Sequence, residues 1–135
     1  MGTRSTVKFY NRNGRCILSL YNQYDGYYEG VGQELVDFFD NKDNYGNGFE
    51  DTALLYVCYK KQGKPYHTYL TNENDKQEYN YAIFEEQNGD LTFEIEEERW
   101  INELDTFGLV HTLKYADFDK FKNFIRKGGN AEYDT

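Results

Sequence analysis

Two period-two runs separated by an Asn-Gly pair restrict what this chain can fold into more than any other feature. Residues 78–86 and 91–97 each alternate, and Asn88-Gly89 between them is a strong short-range signal for a hairpin, because both residues tolerate positive φ. Read as a two-residue turn, the pair sets Phe84 opposite Phe93 and Ala82 opposite Ile95 on a core face. The same register sets Tyr81 opposite Glu96 and Ile83 opposite Glu94 on an outer, acidic face.

The rest of the chain supplies more strands and the helices. Residues 6–10 alternate, Asn11-Arg12-Asn13-Gly14 reads as a turn, and residues 15–23 return with Cys16, Leu18 and Leu20 on one face and Ile17, Ser19 and Tyr21 on the other. From Val31 to Asn41 the apolar residues Val31, Leu35, Phe38 and Phe39 recur at helical spacing. A second helix is expected from Asp51 as N-cap to Lys60-Lys61, stopped by Gly63 and Pro65. Residues 66–71 read as a short strand, in antiparallel company with the two strands of the Asn88-Gly89 hairpin, and residues 107–114 as a further strand. Residues 116–127 repeat Phe118, Phe121, Phe124 and Ile125 at helical spacing with Asp117 near the start, and Gly128-Gly129 ends them.

The expected fold is α+β, a mainly antiparallel sheet of about five or six strands carrying three helices, in one domain over residues 1–129 with a flexible tail at 130–135. A length of 135 residues suits a single core, and 14 Tyr, 10 Phe and 1 Trp supply the apolar faces to build it. No apolar run reaches the roughly 18 residues of a membrane span, and Met1-Gly2-Thr3-Arg4-Ser5 lacks the apolar stretch of a secretory signal. A soluble, cytoplasmic protein is expected, with no membrane partner. Cys16 and Cys58 match neither a disulfide framework nor a metal-ligand spacing, and are expected to be reduced and buried.

Charge is the one strong asymmetry. The net charge of −9 argues against direct nucleic-acid binding, which depends on Lys and Arg displacing counterions from phosphates. Residues 78–98 hold eight acids and no Lys or Arg, whereas the other 114 residues hold 16 acids against 15 bases. Within a strand, Glu94, Glu96 and Glu98 point the same way at intervals of about 6.6 Å, close to the roughly 6.8 Å advance of two phosphates along one DNA strand. With Glu85, Glu86 and Asp90 nearby, such a ladder would attract the basic surface of a nucleic-acid-binding protein, unless it serves only to keep a sheet soluble.

The opening Met1-Gly2-Thr3-Arg4-Ser5 is followed by Tyr21-Asn22-Gln23-Tyr24-Asp25-Gly26-Tyr27 and then by Gly30 and Gly32 at a helix start. Asn47-Gly48 and Gln77-Glu78-Tyr79-Asn80-Tyr81 come after these in the same order. Over roughly residues 1–85 this pattern resembles a family of small phage and bacterial proteins of undetermined function, which open Met-Gly-Thr-Arg-Ser and carry an aromatic-Asp-Gly-Tyr loop. Tyr28 stands where those proteins usually have Pro. The resemblance implies a compact α+β fold and a phage or mobile-element setting, in the host cytoplasm, and assigns no catalytic residue.

Two candidate sites follow. The first is the partner-binding set Glu85, Glu86, Asp90, Glu94, Glu96 and Glu98, in a non-enzymatic interaction protein that blocks a basic host or defence protein. The second is a ligand site at the Tyr24 to Gly32 loop, where Asp25 beside Gly26 presents a carboxylate between Tyr24 and Tyr27 with Arg4 as its partner, or where the loop is structural and Asp25 serves backbone hydrogen bonds. The ligand would be nucleotide-like or sugar-like. His67 and His111 lie in strand-like patterns without metal-ligand spacing, and no nucleophile elbow surrounds Ser19 or Cys16, so no cofactor, metal or catalytic group is assigned. A tyrosine-rich outer face leaves room for a homo-oligomer.

Overall fold

The computed structural model describes residues 3–62, 67–101, 106–115 and 117–128. Six strands form one sheet: β1 (Ser5–Tyr10), β2 (Cys16–Asn22), β3 (Thr68–Leu70), β4 (Tyr79–Glu85), β5 (Leu91–Ile101) and β6 (Thr106–Tyr115). Their order is β3-β2-β1-β4-β5-β6, with β1 and β4 parallel and every other pair antiparallel. Three helices, α1 (Gln33–Asp40), α2 (Phe49–Lys61) and α3 (Phe118–Arg126), complete the α+β domain read from the pattern. The tail expected at 130–135, the helix stop at Gly63 and Pro65, and Gly129 lie outside the described residues.

The helices cover one face of the sheet because their apolar stripes match its inward positions. Val7, Phe9, Leu20, Tyr81, Ile83, Phe93 and Ile95 from the strands are buried with Leu35, Val36, Phe38 and Phe39 of α1, Phe49, Ala53 and Tyr56 of α2, and Phe121, Phe124 and Ile125 of α3. Much of the contact is aromatic. Phe9 meets Phe39, Phe49 and Tyr56 at ring separations of 6.1, 5.6 and 5.5 Å, and Phe93 stacks on Phe121 at 4.7 Å.

The β4–β5 hairpin differs from the expected register by one residue. Tyr81 pairs with Ile95, Ala82 with Glu94, Ile83 with Phe93 and Phe84 with Thr92. The loop is not Asn88-Gly89 alone but the three residues Gln87-Asn88-Gly89, closed by Glu86 N donating to Asp90 O at 2.8 Å, with Gly89 at φ 89°. A three-residue loop ending in a left-handed glycine is the second common hairpin solution, and one extra loop residue moves every side chain of β4 to the opposite face relative to β5. Tyr81 and Ile83 therefore enter the core, while Ala82 and Phe84 join Glu94 and Glu96 outside.

Three further expectations change. β3 does not neighbour β4: residues 71–78 cross from one edge of the sheet to its middle over the outer face, where Lys8 Nζ donates to Asp75 O and Ser19 Oγ to Asn72 O. That strap leaves Lys8 only 3% exposed, and burial lowers its pKa. Asp51 is not the N-cap of α2, which begins at Phe49; its carboxylate accepts from Asn47 N at 3.3 Å. Neither cysteine is buried: Cys16 is half-buried and Cys58 is exposed, both free. Cys58 follows buried Tyr56 by two residues, a rotation of about 200° around the helix, which turns it to solvent.

Asp117 caps α3 as its position implies, accepting from Lys120 N at 2.9 Å. Asp117→Ala is expected to cost about 1 kcal/mol, read as a lower urea midpoint with an unchanged slope.

Candidate functional site

The loop after β2 is shaped by one close approach. Asp25 sits at φ 59°, the one described non-glycine residue with positive φ, and its carbonyl accepts from Val31 N at 2.7 Å. Asp tolerates this left-handed conformation better than most residues, and strain of this kind is retained where surrounding contacts over-determine it. Those contacts are present: Gly26 N donates to Thr3 O at 2.9 Å, and the hydroxyl of fully buried Tyr81 donates to Gly26 O at 2.7 Å. Residues 28–32 then form a single π-helical turn leading into α1.

Fixed in this way, the loop forms one wall of a cleft of about 800 Å³. Tyr24 and Asp25 face the cleft together with Asn22 of β2, Glu34 of α1, Tyr59, Lys60 and Gln62 at the end of α2, and His67 and Thr68 at the start of β3. The floor is tightly hydrogen-bonded, because buried Asn22 accepts from Thr68 Oγ1 at 3.1 Å and donates to Ser5 Oγ at 3.3 Å. The rim is aromatic: the Tyr24 ring meets His67 edge-on at 4.6 Å and remains 42% exposed. Lys60 Nζ is ion-paired with Glu34, so among the described wall residues the remaining formal charge is the Asp25 carboxylate. Tyr27 Oη donates to that carboxylate at 3.1 Å, which raises the Tyr27 pKa.

Of the four residues expected at this loop, two line the cleft. Tyr27 stands behind Asp25 and positions it, while the Arg4 carbonyl accepts from Tyr79 N at 3.3 Å and the Arg4 backbone abuts Gly26. The cleft wall is built without the Arg4 side chain. Glu34, Tyr59, Lys60 and His67 were not legible as site residues, since they come from three elements and no local motif joins them.

The chain matches no family model, no curated protein and no solved structure. Among the described residues no three His, Cys, Asp or Glu side chains gather as metal ligands, and no helix is long and apolar enough to cross a membrane.

The acidic run does not form the bare ladder its sequence suggests. Glu94, Glu96 and Glu98 share the outer face, as strand parity requires, and Glu97 is buried on the other side. Lys114 of β6 lies 3.5 Å from Glu94, however, Lys76 of the crossover strap 2.7 Å from Glu96, and Arg12 of the first turn 2.9 Å from Glu85. Glu86 accepts from Thr92 Oγ1 of β5 at 2.8 Å and Asp90 from Asn88 Nδ2 at 3.0 Å, both at the turn end of the β4–β5 hairpin. Three of the six carboxylates are thus neutralised by cations remote in sequence, and the six do not face one way.

The paired outer-face glutamates should titrate apart. Burial raises Glu94 above the ordinary 4.5, against the pull of Lys114, with Glu96 adding to the rise. Burial acts upward on Glu96 too, but the hydrogen bond and charge of Lys76 outweigh it and hold Glu96 low. Glu94 therefore favours the fold less as pH rises from 4.5 through its folded value. Glu96 contributes stability above 4.5 that is lost as pH falls through its own folded value. Side-chain carboxyl NMR titration is expected to place Glu94 above and Glu96 below free glutamate; the reverse order would refute the pairing.

Proposed function

We propose that the chain is a binding module for a small, polar, uncharged ligand of sugar or nucleoside type, taken up in the Tyr24–Asp25 cleft. The observation that carries this reading is Asp25, held left-handed at the rim of the cleft between an exposed tyrosine and a floor closed by the satisfied amide of Asn22. An aromatic rim offers a stacking surface, while Asp25, Gln62 and the Lys60–Glu34 pair offer donors and acceptors to hydroxyls. One net negative charge among the described wall residues disfavours a free phosphate group, which favours sugars and nucleosides over nucleotides. The test is a panel of monosaccharides and nucleosides screened by saturation-transfer NMR and measured by calorimetry. At least one member is expected to bind, and Asp25→Asn, which removes the charge but tolerates the left-handed backbone, to weaken it about tenfold, a loss of roughly 1.4 kcal/mol, without shifting the unfolding temperature. Binding unaffected by Asp25→Asn, or no binding across the panel, would overturn the reading.

The acidic interaction reading draws its support from the net charge of −9 and from Glu94, Glu96 and Glu98 sharing an outward face. In the phage or mobile-element setting, it makes the chain an inhibitor of a basic host or defence protein. Its own test is charge reversal: replacing all three glutamates by Lys should abolish salt-sensitive capture of a basic partner and leave cleft binding intact. Capture that survives the reversal would remove this reading.

A further inference from the structure

A second cleft, of about 590 Å³, lies at the opposite end of the sheet from Asp25, where the turns at residues 11–14 and 87–89 meet the first turns of α2 and α3. Its size is that of a small-molecule site. The floor is apolar: Phe49 is buried, Leu91 and Phe118 are half-buried, and the buried Thr52 hydroxyl is committed to Tyr45 O at 2.7 Å. The Tyr45 ring is pinned through its own hydroxyl, which donates to Phe39 O at 2.7 Å, and remains 38% exposed. Phe118 already carries a cation, with Lys122 Nζ 5.7 Å from its ring centre, which leaves Tyr45 as the ring open to another.

The rim carries charge of one sign. Arg12, the one cation among the described wall residues, is held by Glu85, which accepts from Arg12 N at 3.0 Å and from Nη2 at 2.9 Å. Asp90 and Asp117 remain, both exposed, and neither is ion-paired among the described residues. The helix starts do not cancel them, because their partial positive charges already face Glu50 and Asp51 in the first turn of α2 and Asp119 in that of α3. We propose that this cleft binds a small organic cation, an ammonium group on an apolar body. The body packs on Phe49, Leu91 and Phe118, and the ammonium sits by Asp90 and Asp117 against the Tyr45 ring. The rings select the apolar body and the rim selects its charge, while the same two carboxylates disfavour phosphates and carboxylic acids. The net charge of −9 draws cations toward the molecule as a whole.

Phenethylamine and its neutral isostere 2-phenylethanol, titrated separately into the full chain and followed by amide NMR, test this. The amine is expected to shift the amides of Gly48, Thr52, Gly89 and Leu91, and the alcohol to bind about tenfold more weakly or not at all. Raising salt should weaken the amine and leave the alcohol unchanged. Asp90→Asn and Asp117→Asn should each weaken the amine about fivefold, the effect of one charge at contact range in water. Asp117→Asn keeps a capping side chain at the start of α3, so the fold is retained. Glu73→Gln removes the same charge from the strap on the outer face of the sheet and should change nothing, which separates local contact from net charge. No amine binding at these residues, equal affinity for amine and alcohol, Asp90 and Asp117 variants that bind the amine as the wild type does, or a Glu73→Gln loss as large as theirs would each overturn the proposal.

Discussion

Phe39→Ala is expected to remove about 3–5 kcal/mol of stability, the range for emptying a phenylalanine site in a packed core. Phe39 is 1% exposed and stands where α1, the sheet and α3 converge, with rings of Phe9, Phe38, Tyr45, Phe93 and Phe118 at 6.1, 5.0, 6.0, 5.4 and 6.2 Å. Its neighbours come from four elements and cannot all collapse into the space left behind, so both the lost transfer energy and the cavity count against the variant. Against a total stability of roughly 5–15 kcal/mol, such a loss takes a large fraction of the fold. Urea denaturation followed by circular dichroism reads it directly. Leu54→Ala is the control: Leu54 lies on the outer side of α2 at 63% exposure and should change stability by no more than about 0.5 kcal/mol. A Phe39→Ala loss no larger than that of Leu54→Ala would mean that α1, α3 and the sheet do not converge on this ring.

Gly30→Ala is the second large effect, and it couples stability to the cleft. A β-carbon on Gly30 would fall 1.9 Å from Asp25 O and 2.8 Å from both Asp25 C and Cβ. The carbonyl cannot withdraw without breaking its 2.7 Å hydrogen bond from Val31 N, which holds Asp25 left-handed. The expected cost is roughly 3 kcal/mol, at the upper end for forced overpacking, and any ligand bound in the cleft should be released. Gly14→Ala separates sterics from backbone strain: Gly14 has φ 79° but open space around it, so that change should cost only about 1–2 kcal/mol. Thermal melts rank the two variants, and amide shifts of residues 24–31 report whether the loop has opened. Equal losses at Gly14 and Gly30 would mean that the loop yields without strain.

Both variants mark where local pattern ends and tertiary structure begins. The stripes of α1 and α3, the Asp117 cap and the strands on either side of residues 11–14 follow from spacings within a few residues, and the structure places them accordingly. The β4–β5 hairpin was legible as a hairpin but not in its register, because Asn88-Gly89 fits a two-residue and a three-residue loop equally well. Only burial of Tyr81 and Ile83 against the helices selects the second. The π-helical turn and the strain at Asp25 leave no periodic trace at all.

The same division holds for the sites. Tyr24 and Asp25 stood out as aromatic and acidic residues beside glycines, but Lys60, Glu34 and His67 reach them only because α1, α2 and β3 meet at one end of the sheet. The eight acids of residues 78–98 were visible as a charge count, yet a count has no direction. The chain's own order of residues determined an α+β domain with one buried sheet face, since side-chain period and turn chemistry act over short distances. Which charges meet, which strands adjoin and where the cleft opens was decided by the parallel β1–β4 pairing and the strap that crosses to it, since these bring together residues far apart in the chain, such as Lys8 and Asp75, 67 positions apart.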